Sequence, residues 1–424
     1  MKAYNEALSR LDSLIFYRRL NQDPVIKSFR TMCAKWSRSS PGQARKYFFE
    51  FAARLVESAE LLGLEGNIFG GYLLRFFQRD ENPFTLECER NTDLKYGSAY
   101  KLALRDAETL LYLLRLDLRE FCADAGLCKI LRDYVPARPA KQPGSLAEVG
   151  TATPLTLLEQ LIAWYKKYFC GLFADYKMLK YEGIGLRGIK RADEADFDDI
   201  ILYAPQKAAL CRNTESFLAG APAHNVLLAG ARGTGKSTCV KALAKQYHDK
   251  GLRIIEAAKD SLPGLPALLG VLAGRAPRFI IFLDDLSYDE SEKEYKLMKS
   301  LVEGSVEKLP KNVLLYATSN RRHIIQEKWS DKVNSPEDEA DGEIHQSDAV
   351  NEKLSLADRF GLTITFPKPS PDEFMRIVLR LASREGVDLS AEELEAGARR
   401  WELAQGGLSG RAARQYVNNI LRRV

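Results

Sequence analysis

Along the first 135 positions apolar residues recur at steps of three and four, the spacing that collects side chains on one face of a helix. Ala107, Leu110, Leu111, Leu114, Leu118 and Phe121 make one such stripe, with Arg105, Asp106, Arg115 and Arg119 on the opposite face. Tyr47, Phe48, Phe51, Leu55 and Leu62 make another within residues 43–64. Ile68, Phe69, Tyr72, Phe76 and Phe77 read as core aromatics, with the wall of a binding groove as the alternative. Between 134 and 154 the pattern breaks at Pro136, Pro139, Pro143 and Gly144, the composition of a linker. A helical run over 155–181 follows, mixing Leu158, Leu161, Trp164, Tyr165 and Tyr168 with Lys166, Lys167, Lys177 and Lys180. It reads as a half-buried connecting helix; contact with nucleic acid or a neighbouring subunit is the alternative.

From residue 185 onward the period changes. Short apolar runs at 226–229, 252–256, 278–283, 313–318 and 362–366 alternate with helical stretches, the pattern of a parallel sheet covered on both faces. Pro367 and Pro369 end the last strand, and three helices follow. Ser370 to Glu373, with Pro371 at the first helical position, is a capping box, and Ser390 to Glu393 repeats it. The expected fold is α/β: a parallel five-stranded sheet with a C-terminal helical lid, preceded by a mainly helical N-terminal domain. The boundaries fall at 1–135 for the helical domain, 136–182 for linker and connecting helix, 183–367 for the α/β domain and 368–424 for the lid.

Length and composition constrain this picture only lightly. A chain of 424 residues holds two or three domains, and 46% apolar with 28% charged residues is ordinary for a globular protein. The net charge of +5 is small against 62 basic and 57 acidic side chains; it permits nucleic-acid contact without arguing for it. The seven cysteines form no CxxC pair, so reduced core thiols in a cytoplasmic protein are expected. Residues 1–20 lack the apolar stretch of a signal peptide, and nowhere do eighteen apolar residues run together, so no membrane span is expected.

The chemistry concentrates behind the first strand of the α/β domain. Gly230-Ala231-Arg232-Gly233-Thr234-Gly235-Lys236-Ser237 fits the P-loop pattern, and a helical run over 236–249 follows it. Gly230, Gly233 and Gly235 let the backbone curl so that N–H groups, with those of Thr234 and Thr238, point at phosphate oxygens. Lys236 reaches the outer phosphates, Ser237 offers a hydroxyl to magnesium, and the helix dipole favours the anion. About fifty residues on, an apolar strand ends in Asp284-Asp285, at the sheet edge where parallel sheets bind ligands. Asp284 can support magnesium, and Asp285 can orient or deprotonate the attacking water. The next strand ends in Asn320, whose amide can hold that water or the terminal phosphate, or can simply cap a turn.

These motifs, in this order, resemble the AAA+ superfamily over residues 185–424. In that resemblance Gly230 to Ser237 is Walker A, Asp284 and Asp285 are Walker B, and Asn320 is the sensor-one residue. Arg359, in Leu-Ser-Leu-Ala-Asp-Arg-Phe-Gly, is similar to the arginine finger that reaches a neighbour's nucleotide; a surface pair with Asp358 or Glu352 is its alternative. Arg411, after a Gly-rich lead-in, is similar to the sensor-two arginine of the lid, with Arg414 as competitor. More narrowly the chain resembles a bacterial family of predicted AAA-type ATPases of unassigned role. Most AAA+ motors carry Glu where this chain has Asp285; Asp also occurs in the replication-initiator and helicase-loader branches, whose members often act as slow ATP switches.

The resemblance implies an ATP- and Mg2+-dependent ATPase. It implies a homo-oligomer with nucleotide sites shared between subunits, coupling ATP to remodelling of an unidentified macromolecule. An ATP-gated DNA-binding or loader-type switch with slow turnover is the second reading. Between Asn320 and Arg359, residues 326–350 read as an acidic insertion that could gate the site, touch a basic partner or remain a solvated loop. The N-terminal region carries no chemical signature.

Overall fold

The computed structural model describes residues 2–36, 41–94, 97–121, 124–140, 151–190, 195–286, 309–320, 360–405 and 407–422. It divides into two compact units, Met1–Ala174 and Asp175–Val424.

The first unit is helical: α1 (Lys2–Asp12), α2 (Pro24–Trp36), α3 (Pro41–Leu62), α4 (Ile68–Arg79), α5 (Pro83–Glu89), α6 (Ser98–Leu114), α7 (Ala125–Arg132) and α8 (Pro154–Tyr168). Phe29, Phe51 and Phe69 meet at its centre with ring centroids 5.1–5.5 Å apart, and Phe77 is buried beside them in one continuous core. The aromatic cluster of α4 is therefore largely core, with Phe76 and Tyr72 partly exposed. Two local expectations change. Helix α6 stops at Leu114, and Leu118–Phe121 is a separate 3-10 turn. Asp106, placed by periodicity on the polar face, is buried: its carboxylate accepts the backbone N–H groups of Ile15, Phe16 and Tyr17 at 2.8–3.3 Å. Burial raises its pKa, and the three N–H donors oppose the rise.

Among the described cysteines, Cys33, Cys88, Cys170, Cys211 and Cys239 are reduced thiols, as expected, whereas Cys128 departs from the expectation in being disulfide-bonded.

Helix α8 ends where Phe169 takes φ +68°, so the expected helical run to 181 is interrupted. A single turn α9 (Leu172–Asp175) leads into the second unit, and residues 178–181 are a strand. That strand, β1 (Met178–Tyr181), and β2 (Leu186–Gly188) join β3 (Val226–Gly230), β4 (Leu252–Ala257), β5 (Arg278–Leu283), β6 (Val313–Ser319) and β7 (Leu362–Phe366) in one sheet of order β2-β1-β4-β5-β6-β3-β7. The five expected strands are present and pair in parallel, and among the described residues the count is corrected to seven. β1 adds in parallel to β4, and β2 adds antiparallel at the edge. Strands of four and three residues carrying Lys180 and Arg187 leave too short an apolar signal to separate them from the preceding helix.

The interior strands behave as strands buried on both faces: all seven residues of β6 and five of six in β5 are buried. Helices α10 (Ala204–Leu218), α11 (Lys236–Tyr247) and α12 (Leu265–Ala273) cover the sheet. The lid is α13 (Pro371–Arg384), α14 (Ala391–Gln405) and α15 (Gly410–Leu421). Ser370 and Ser390 both form the expected capping boxes, each with a reciprocal pair of bonds to the Glu three residues on. Phe374, Ile377, Leu381, Ala413 and Tyr416 form the lid's own core, against which Ile201 and Leu202 pack. Arg384 of α13 also meets Asp199 at 2.6 Å.

Gly230, at the end of β3, takes φ +141°, and a Cβ there would lie 2.0 Å from the carbonyl oxygen of Phe366. Gly230→Ala is therefore expected to destabilise this unit by about 1–3 kcal/mol. Gly270→Ala in α12, where the added Cβ meets nothing within 4 Å, is expected to be neutral or to stabilise by up to about 1 kcal/mol. Urea unfolding followed by intrinsic fluorescence separates the two; equal midpoints would contradict the close approach of β3 to β7.

Candidate functional site

Sheet order decides where the site forms. β3 lies between β6 and β7, so the loop leaving β3 is flanked by the C-terminal ends of the strands on either side. Gly230 can pass the Phe366 carbonyl only without a side chain, and the Ala231 N–H then donates to that carbonyl at 3.3 Å. The loop is closed from within by the Thr234 hydroxyl, which donates to the Ala231 carbonyl at 2.9 Å. Gly233, at φ +75°, meets the lid: the Arg411 N–H donates to its carbonyl at 3.3 Å, and a Cβ on Gly233 would lie 3.0 Å from Ser409 Oγ. Helix α11 starts at Lys236, directing its first N–H groups into the loop.

Lys236 is 5% exposed. Its ammonium donates to the carbonyls of Gly230 at 3.0 Å and Ala231 at 2.8 Å and to Asn320 Oδ1 at 3.0 Å. Burial lowers its pKa to about 8, with Asp284 and Asp285 opposing the shift and Arg232 and Arg411 adding to it. The Asn320 amide nitrogen in turn donates to Asp285 Oδ1, so one side chain bridges the lysine and the second carboxylate.

Asp284 Oδ1 accepts two hydroxyls at 2.6 Å, from Ser237 and from Thr318. Asp285 stands at φ +54°, a left-handed conformation uncommon for a residue with a side chain, and its N–H donates to Thr318 Oγ1 at 2.8 Å. Ser237 and Asp284 thus set a neutral and an anionic oxygen side by side, which suits a hard cation that takes its remaining oxygens from water and phosphate. Among the described residues no cluster of three or more His, Cys, Asp or Glu forms an alternative metal site.

A cavity of about 670 Å3 lies over these groups. Gly233, Thr234, Gly235, Lys236, Ser237, Thr238, Asp284, Asp285, Asn320 and Arg411 all line it, and Gly230 reaches it through its carbonyl bond to Lys236. Arg414 lines it as well, so both candidate lid arginines face the same space. Arg359 and the acidic stretch 326–350 lie outside the described residues. Sequence reasoning missed Thr318 and the wall formed by Ile200, Ile201, Leu202, Ile377 and Leu381. A polar residue two positions before Asn320 in an apolar strand was the available signal for Thr318, because alternate strand residues share a face.

A family model described as "Protein of unknown function (DUF815)" matches residues 173–424, more than half of the chain. The chain belongs to the DUF815 family. The match spans the whole of the second unit, an α/β fold in which a mostly parallel sheet carries the P-loop at the end of β3 and is followed by a helical lid. Comparison with curated proteins finds no match. Among solved structures, the Thermotoga maritima RuvB Holliday junction branch migration motor aligns at 17% identity and TM-score 0.32, covering 53% of this chain and 71% of that one. The replication initiator DnaA bound to AMPPCP and single-stranded DNA aligns at 13% identity and TM-score 0.37, covering 54% and 65%. At these scores neither alignment bears on the chemistry or the partner of this DUF815 protein. No helix among its described residues is long and apolar enough to cross a membrane.

The lowered pKa of Lys236 has a definite sign in binding. Below about pH 8 the ammonium is charged and attracts phosphate; as pH rises through that value it loses its proton and the attraction falls. Affinity for pyrophosphate, measured by calorimetry, is expected to drop between about pH 7 and about pH 9. In Lys236→Arg, which stays charged throughout, any binding should lack that step. A flat wild-type profile would contradict the assignment.

Proposed function

We propose that this protein binds ATP with Mg2+ in the cavity beside Lys236 and hydrolyses it, using the energy to remodel a macromolecular partner. The observation that carries the reading is the 2.6 Å contact between the Ser237 hydroxyl and Asp284, with Lys236 and Asn320 alongside on the same sheet edge. Ser237 and Asp284 would hold Mg2+, which when bound would neutralise charge on the phosphates of ATP, whose terminal phosphoanhydride would be cleaved. The residues of this chain do the rest. The N–H groups at the start of α11 and the Lys236 ammonium hold the phosphate chain, exchanging their present acceptors for phosphate oxygens. Asp285 orients the attacking water and takes its proton, and Asn320 holds the water or the terminal phosphate. Ile200, Ile201, Leu202, Ile377 and Leu381 supply an apolar wall for the base, in a cavity of nucleotide size. Arg411, bonded through its backbone to Gly233, ties the lid to the nucleotide.

Arg359 is proposed to complete the site of a neighbouring copy, which makes the active form an oligomer. Asp285 is one methylene shorter than glutamate and is engaged by Asn320. That geometry favours slow turnover, as in an ATP-gated switch, and leaves a nucleic-acid partner open to direct binding measurements.

Purified full-length protein is expected to hydrolyse ATP, with Lys236→Ala losing both nucleotide binding and turnover. Asp285→Asn should keep nucleotide affinity while turnover falls by about 10²–10⁴-fold. Arg359→Ala should lose about 10³–10⁵-fold. Mixing it with Lys236→Ala should restore part of the activity, because each variant supplies what the other lacks. Wild-type turnover in Lys236→Ala would overturn the proposal, and no recovery on mixing would remove the shared site.

A further inference from the structure

We propose that Thr318 is the positioning residue for both carboxylates of the phosphate site, setting how tightly Mg2+ is held there. The inference rests on the nucleotide-binding reading above and deepens it.

Thr318 is a hydroxyl residue near the end of a strand whose seven residues are all buried, and it is itself 2% exposed. Such a hydroxyl must find partners, and here the partners fix its direction. A threonine hydroxyl has one proton to give and lone pairs to receive. The Asp285 backbone N–H can only donate, and does so to Thr318 Oγ1 at 2.8 Å. The Thr318 proton therefore goes to Asp284 Oδ1 at 2.6 Å. One oxygen thus sets the orientation of Asp284 and the backbone of Asp285 together.

The hold on Asp285 is double. The next N–H, that of Leu286, donates to the Thr318 carbonyl at 2.8 Å. Two successive backbone donors of the Asp285 turn therefore end on one residue of β6. This gives a physical account of how Asp285 keeps φ +54°, since a strained conformation persists only where its surroundings hold it. Asn320, two residues further along, reaches the Asp285 carboxylate from the same direction. Asn320 contacts the group and Thr318 sets the frame in which the group stands.

Asp284 Oδ1 receives Ser237 as well as Thr318. Without the Thr318 hydroxyl, the Asp284 carboxylate would keep Ser237 as its hydrogen-bond partner among the described residues, the residue together with which it would hold the cation. It would then rotate away from the geometry the cation requires, and loss of such an outer partner typically weakens metal binding about 10–100-fold.

Two substitutions separate this role from packing. Thr318→Val keeps the branched shape and loses the hydroxyl; Thr318→Ser keeps the hydroxyl and loses the methyl. The readout is binding of a fluorescent ATP analogue to the full chain, titrated with Mg2+ and repeated in EDTA, with circular dichroism as the check on folding. Thr318→Val is expected to need at least about tenfold more Mg2+ for half-saturation than wild type, and Thr318→Ser to stay within about twofold. All three should bind the analogue equally in EDTA. If the valine chain fails to fold, Thr318→Ala repeats the test without the hydroxyl. Valine matching wild type overturns the inference alone, as does serine failing where valine does not. Wild-type protein that binds no nucleotide overturns the reading of the site and this inference with it.

Discussion

A hydroxyl and a carboxylate 2.6 Å apart, Ser237 on α11 and Asp284 beyond β5, set the distance on which the rest of the second unit depends. The strands that lead to them, β3 and β5, are not neighbours in the sheet, because β6 stands between them. The contact forms only because β6 holds both sides in register, with Leu227 opposite Ala317 on one flank and Leu283 opposite Ala317 on the other. A one-residue slip of β6 would turn Thr318 and Asn320 to the opposite face and take these two partners away from Asp284 and Asp285. The fully buried run of β6 is what opposes such a slip, since it would have to exchange the contents of two packed faces.

Much of this was legible in the chain because local chemistry and periodicity agreed. The P-loop glycines, the five longer strands and the capping boxes at Ser370 and Ser390 each announce themselves within a few residues. Features that depend on distant partners did not. Asp106 reads as a surface acid until the N–H groups of Ile15, Phe16 and Tyr17, about ninety positions away, are brought to it. Thr318 reads as an ordinary strand threonine until Asp284 and Asp285 arrive from another strand. The strands β1 and β2 were hidden for a different reason, since three or four residues carry too few alternations to define a period.

The two units differ in what kind of reasoning reaches them. The helical unit has an extensive core, with the hydroxyls of Tyr17 and Tyr165 2.9 Å apart inside it and Tyr165 donating to the Phe77 carbonyl. Burial raises the pKa of both tyrosines well above the usual range, so they act as neutral struts. Such a core specifies shape. The DUF815 match begins at residue 173, so the family pattern covers the second unit and leaves the helical unit outside it.

The lid touches the loop after β3 at Gly233. A Cβ there would lie 3.0–3.1 Å from Ser409 and Arg411, and the Gly233 carbonyl is where the first turn of α15 begins. Ser409 meanwhile caps that helix by accepting the Ala412 N–H. Loop curvature and lid orientation are therefore a single mechanical coordinate. A swing of the last helix must reshape the loop, and anything that stiffens the loop must stiffen the lid, with no intermediary between them.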